Sequence, residues 1–266
     1  MNAARVVGFV TLLTTSMAAN AADMPLKAPP PTPPPFSWTG FYIGINGGLA
    51  AGSWKGLVTE FGLPKVDFPG ERTVNANGAF GGVQIGFNWE GGILDPHVVL
   101  GLEADIEGVD FTGSNTFVSG PPFFGSFVKD EDFKMKYFGT VRTRLGYDLG
   151  GFLPYATGGF AYGRTHLQET AFIPGLAAIT TGPSGIASAD ENRVGWTAGL
   201  GFEYAPAFAP QWSVKAEWLY VDLGTTNPIF VGTISPALGG GVFNTDGFQG
   251  HLTFNTIKVG VNYRWW

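Results

Sequence analysis

A chain of 266 residues with 41 glycines, 15% aromatic residues, only 14% charged residues and no cysteine does not read as a helical globular protein. High glycine and aromatic content with few charges suits many short strands, and without cysteine there is neither a disulfide nor a lipid-attachment site. A formal net charge of −6, with no basic run to neutralise phosphates, excludes nucleic acid as a partner.

The first residues have the form of an export signal. Arg5 is the positive start, Val6 to Leu13 a short apolar stretch, and Ala19-Asn20-Ala21 a small-residue cleavage site. The apolar stretch falls well short of the ~20 residues a spanning helix needs. Cleavage after residue 21 leaves a mature chain starting at Ala22; removing the +1 of Arg5 takes the formal charge from −6 to −7. Residues 22–37 are expected to form a periplasmic linker, because seven prolines between Pro25 and Pro35 favour extended polyproline II and lack ladder donors. A docking peptide for a periplasmic partner is the alternative reading of the same run.

From residue 38 onward the chain is expected to form one barrel domain, 38–266. It contains no apolar run long enough for a membrane helix, but eight segments of about ten residues alternate with period two. Phe41, Ile43, Ile45 and Leu49 share a face of the first, and Val83, Ile85, Phe87 and Trp89 of the second. Val98, Leu100, Leu102 and Ile106 mark the third, Val141, Leu145 and Tyr147 the fourth. The fifth, around Leu153 to Arg164, is blurred by Gly158-Gly159. Val194 to Tyr204, Trp212 to Tyr220 and Ile257 to Trp265 supply the last three. Connections near 90–96, 149–153 and 205–211 are short, whereas those near 51–77, 110–136, 165–192 and 224–253 are long and polar. Strict alternation of short and long connections predicts an all-β, eight-stranded antiparallel transmembrane barrel with short periplasmic turns and four long outer loops.

Charges support this reading through their parity. Glu103, Asp105 and Glu107 share one face of their segment, as do Arg142 with Arg144, Lys215 with Glu217, and Lys258 with Arg264. In a membrane barrel the polar face lines the interior. With Glu203 added, five carboxylates meet five cations, a balanced set expected to form an ion-pair network that fills a narrow lumen. Trp89, Tyr147, Tyr155, Tyr204, Trp212 and Trp265, close to the short turns, are expected to form an interfacial girdle. Lys258, Gly260, Tyr263 and Trp265 lead into a closing aromatic, the form of a terminal strand that barrel-assembly machinery reads.

The combination resembles the small outer-membrane proteins of alphaproteobacteria, the outer-membrane immunogenic protein family, with its OmpA-like eight-stranded barrel. The residues that carry the resemblance are Ala22-Asp23-Met24-Pro25 with the proline run, Trp38 to Gly44, Gly81 to Asn88, Gly139 to Gly146, Lys215 to Gly224 and Val261 to Arg264. The family usually ends Tyr-Arg-Phe; here Trp265 takes the aromatic place and Trp266 follows. The resemblance implies an abundant surface protein that contributes to envelope integrity and to host contact, with no catalytic residues.

No cofactor-binding or metal site is expected. His97, His166 and His251 are the only histidines, and loop histidines are ordinarily solvated. Lipid hydrolysis would need a serine such as Ser188 or Ser235 against His166, an arrangement that no strand spacing fixes. The readings, in order, are a non-enzymatic surface barrel, a narrow porin-like channel and a lipid hydrolase. Expected partners are outer-membrane lipid or lipopolysaccharide and the assembly machinery, with peptidoglycan or a host surface as further contacts.

Overall fold

Period-two alternation places apolar side chains on one face of an extended strand and polar ones on the other. A sheet with one wholly apolar face that is not packed on another sheet must close on itself or find a non-aqueous surrounding. The computed structural model, which describes residues 36–58, 70–91, 95–119, 127–172, 183–245 and 248–265, shows closure. The export signal and the proline run lie outside the described residues.

The strands are β1 (Gly40–Val58), β2 (Gly70–Glu90), β3 (Val98–Ser119), β4 (Phe127–Tyr147), β5 (Phe152–Phe172), β6 (Gly185–Tyr204), β7 (Trp212–Thr226), β8 (Phe230–Ile234), β9 (Val242–Thr245) and β10 (Phe248–Trp265). Each of β1 to β6 pairs antiparallel with the next, β7 pairs with β10, and β10 returns to β1 from Phe41 opposite Trp265 up to Val58 opposite Phe248. Eight strands therefore close the ring. Bulges interrupt the ladders between Gly108 and Phe111, Met135 and Tyr137, and His251 and Thr253.

Most ring strands run to about twice the expected ten residues, which corrects the reading of 51–77, 110–136, 165–192 and 224–253 as long loops. Ala51 to Val58, for instance, stays paired with Gly70 to Asn77. There the outward side chains, such as Ser53, Lys55, Asn75 and Asn77, are polar, so the hydrophobic alternation fades while the backbone ladder continues. Within 224–253 the hairpin β8–β9, joined through a 3-10 turn at Pro236–Leu238, adds to the far end of β6, with Gly185 opposite Ile234 and Ser188 opposite Val231.

The opposite end has short turns. Between β4 and β5, Gly150 and Gly151 adopt φ of +76° and +88°, the left-handed pair a two-residue hairpin turn demands. Asp148 caps this turn by accepting from both amides at 3.1 and 3.0 Å. In the wall, Gly82 and Gly159 leave no room for a Cβ, which would sit 2.2 and 2.1 Å from the carbonyl oxygens of Ile106 and Val141.

Outward side chains along the turn-end half form a continuous apolar band that includes Ile45, Leu102, Leu145, Leu200 and Ile257, each more than two-fifths exposed. Tyr155 is absent from that band. It is 5% exposed and points inward with Leu153 and Thr157, which removes it from the expected girdle; Trp89, Tyr147, Tyr204, Trp212 and Trp265 do point outward.

The interior is layered rather than uniformly polar, a second correction. Above a charged layer, the half nearer the long-loop end is an apolar core of Ala50, Trp54, Phe80, Phe111, Phe133, Phe138, Leu252 and Phe254 among others. Phe254 meets Phe111 and Phe138 at ring distances of 5.5 and 5.4 Å, and Phe80 meets Phe138 at 5.4 Å. Closed ladders resist detergent because every backbone bond is internal. The protein should therefore run differently on gels before and after boiling, and Phe254→Ala should lower unfolding free energy in detergent micelles by about 3–5 kcal/mol. Phe208→Ala, at a position 90% exposed in the β6–β7 turn, should leave it unchanged.

Candidate functional site

Chemistry-bearing side chains concentrate inside the turn-end half of the barrel. The acidic row of β3 faces the basic pair of β4 because the ladder sets Glu103 opposite Arg142 and Gly101 opposite Arg144. Arg142, 1% exposed, reaches three carboxylates: it donates to Glu103 Oε1 at 2.6 Å, Asp105 Oδ2 at 2.8 Å and Glu217 Oε1 at 2.7 Å. Across the lumen, Lys215 donates to both Glu103 oxygens at 2.7 and 2.8 Å. Lys258 donates to Asp105 at 2.7 Å and Glu107 at 3.3 Å, with Glu217 at 3.4 Å. Arg144 lies between Glu203 at 2.5 Å and Glu103 at 3.4 Å, its guanidinium over the Tyr155 ring at 4.1 Å.

Neutral groups complete the network. Tyr42 and Tyr155 donate their hydroxyls to Glu103 at 2.7 Å and Glu217 at 2.9 Å. Thr140 gives Asp105 both its amide, at 2.8 Å, and its hydroxyl, at 2.6 Å. Ser213 and Asn262 donate to Glu203, and Gln84 and Asn46 extend the chain of bonds. Buried charged groups cross-linked in this way hold the ring of strands at fixed spacing.

The charged layer is capped at the turn end. Trp38 is fully buried; its indole N–H donates to Asp148 Oδ1 at 2.9 Å and its amide to Glu90 Oε2 at 2.7 Å. A second, smaller charged group lies beyond the aromatic core, where Arg72 contacts Glu131 and Lys129 lies 3.5 Å from Glu169.

Over residues 9–264 the sequence matches the family described as the outer membrane protein beta-barrel domain. The chain belongs to that family. It is 37% identical over 256 residues to the 31 kDa outer-membrane immunogenic protein of Brucella melitensis biotype 1, covering 94% of each chain. It is 24% identical over 264 residues to the 25 kDa outer-membrane immunogenic protein of Brucella abortus biovar 1, covering 97% of this chain and 96% of that one. Among solved structures it is similar to the outer membrane protease OmpT of Escherichia coli, with 13% identity, a TM-score of 0.49, and coverage of 86% of this chain and 98% of that one.

In this outer-membrane barrel, nine of the ten residues expected in the lumen network meet there: Glu103, Asp105, Glu107, Glu203 and Glu217 with Arg142, Arg144, Lys215 and Lys258. Arg264 stands apart, which corrects the balanced count to five carboxylates and four cations in contact. The residues before β1 fold beneath it, so its guanidinium lies over the rings of Trp38 at 4.5 Å and Phe36 at 4.9 Å and donates to Pro210 O at 3.0 Å. Of the terminal-strand pattern, Lys258 and Gly260 face inward, whereas Tyr263 and Trp265 face outward, with Tyr263 against Trp212 at 5.1 Å.

Among the described residues no metal-binding cluster occurs, and the side-chain hydrogen bonds of His166 and His251 go to Asp190 at 3.2 Å and Asp222 at 2.9 Å. Ser188 pairs in the ladder with Gln168 rather than with His166.

Arg142→Ala would remove the one cation that Glu103, Asp105 and Glu217 share, leaving five buried carboxylates with three cations, and breaking a buried pair in this way costs about 3–5 kcal/mol. Its thermal unfolding midpoint should fall well below that of wild type, while Lys55→Ala, on the exposed wall, should melt with wild type.

Proposed function

We propose that this protein is a non-enzymatic integral component of the outer membrane that contributes to envelope integrity and presents its long-loop end outside the cell. The observation that carries the reading is the filled interior: a stopper at Trp38, a charged layer around Arg142 and an aromatic layer around Phe254 follow one another along the axis. An eight-stranded barrel has an interior just wide enough for side chains, and here side chains occupy it. A porin-like channel would need a continuous polar path, and the aromatic layer interrupts one. A lipid hydrolase would need a serine, histidine and carboxylate in mutual contact, and among the described residues neither His–Asp pair on the wall has a serine hydrogen-bonded to it.

The word "immunogenic" in the relatives' names supports exposure at the cell surface. The same reading assigns Lys258, Gly260, Tyr263 and Trp265 to recognition by the barrel-assembly machinery, the proline run to the periplasm beside peptidoglycan, and the long-loop end to host contact.

Reconstituted in planar bilayers, the protein should give no unitary conductance steps; regular steps altered by Arg142→Ala would establish a working channel instead. Orientation is tested with single cysteines, since the chain has none. Ser114→Cys at the long-loop end should react with a membrane-impermeant maleimide on intact cells, and Phe208→Cys at the turn end should not. The opposite pattern would invert the topology.

A further inference from the structure

Four Lys or Arg side chains point outward from the barrel wall among the described residues, and three of them, Lys134, Lys136 and Arg164, fall on the adjacent strands β4 and β5. The fourth, Lys55, is on β1. His166 joins the cluster directly opposite Lys134, and Tyr137 sits opposite Arg164. Toward the turn end the same wall becomes aromatic, with Phe160 and Tyr162 stacked at 6.3 Å. Aromatic side chains of this kind mark the level where hydrocarbon gives way to headgroups. At about 3.3 Å per residue, the cations stand one to two residue pairs beyond that level, within headgroup height.

Their charge is incompletely matched. Asp190 is shared by three of them, with Lys136 Nζ at 3.1 Å, His166 Nδ1 at 3.2 Å and Arg164 Nη2 at 3.9 Å. Lys134 has no carboxylate within ion-pair distance among the described residues, and Asp110 and Asp132, which border the cluster, pair with none of its members. Three permanent cations thus share one contacting carboxylate: Lys134 keeps its charge without an ion-pair partner among the described residues, and the side chains of Lys136 and Arg164 stay roughly two-fifths exposed. Phosphate is the anion such a mixed lysine–arginine cluster accommodates, as a point charge for lysine and a forked acceptor for arginine.

We infer that the long-loop ends of β4 and β5 bind the phosphate of a phosphorylated lipid headgroup, whose acyl chains lie along the aromatic and aliphatic wall below. A free phosphate would use only the upper half of this surface, whereas a phosphorylated lipid uses both halves. The inference rests on the membrane orientation proposed above, and it names the lipid-facing partner of that barrel.

The test uses full-length mature protein folded in zwitterionic detergent micelles. Its probes are a hexa-acylated glucosamine disaccharide lipid carrying two phosphates, the same lipid after dephosphorylation, and inorganic phosphate, with bound lipid counted by native mass spectrometry. The bisphosphorylated lipid should bind, and the dephosphorylated lipid should bind about tenfold more weakly. Lys134→Gln/Lys136→Gln/Arg164→Gln should weaken the phosphorylated lipid by about tenfold, the sum of three half-exposed charge contacts. Lys55→Gln should leave binding unchanged. Asp190→Asn should tighten binding, whereas Asp222→Asn, on a different part of the wall, should not. Equal binding of both lipids, or wild-type binding by the triple variant, overturns the inference. Inorganic phosphate competing at the affinity of the lipid would make this a free-phosphate site and overturn the lipid assignment. Each variant is first checked for the gel shift on boiling, and the cysteine-labelling pattern is read separately. An inverted topology would thus show itself apart from a failure of lipid binding.

Discussion

A backbone that crosses hydrocarbon must satisfy every amide and carbonyl within itself, since no water is present to accept or donate. For a chain whose segments alternate with period two, ring closure is the solution, and the pairing of β10 with β1 provides it. Much else follows from that closure. The apolar parity is forced outward into lipid and the polar parity inward, and a ring of eight strands has an interior about as wide as its own side chains.

The interior must then accommodate ionised groups that are almost wholly buried. Isolated charges there would be strongly disfavoured, so each carboxylate is matched by cations or hydrogen-bond donors. Arg142 is the clearest instance: its planar fork contacts carboxylates from β3 and β7 at once, which a lysine at that position could not do with the same geometry. The aromatic core above has no such requirement and gains from dispersion and area burial alone. The division of the lumen into a charged half and an apolar half lets the first set strand spacing and the second exclude solvent.

Much of this was legible in the residues. Inside the membrane band one face is predominantly apolar, so parity fixed strand identity, ring number and the inward direction of ten charged side chains. Tyr42, Gln84, Thr140, Ser213 and Asn262 share that inward parity, and extending the test from charges to all polar residues would have found them. Beyond the band both faces lose contrast, which hid the strand extensions, the β8–β9 hairpin and the Arg72–Glu131 pair. Tyr155 was misplaced because Gly158-Gly159 obscures the parity of β5. The environment of Arg264 was beyond reach for another reason. It depends on how Phe36 and Trp38 turn under the barrel, a long-range packing event with no local signature.

That turn has a mechanical consequence. Trp38 precedes the first strand, yet it is held by Glu90 at the end of β2, by Asp148 in the β4–β5 turn and by the Arg264 guanidinium on β10. A load applied through the N-terminal segment is therefore shared among three separate parts of the rim before any of it reaches β1. Peeling a strand breaks its ladder bonds one after another at low force, whereas an anchor of this kind must lose its contacts together. The segment is thus tethered to the barrel as a whole, and tension on it would pull on the ring as a unit instead of opening the β1–β10 seam.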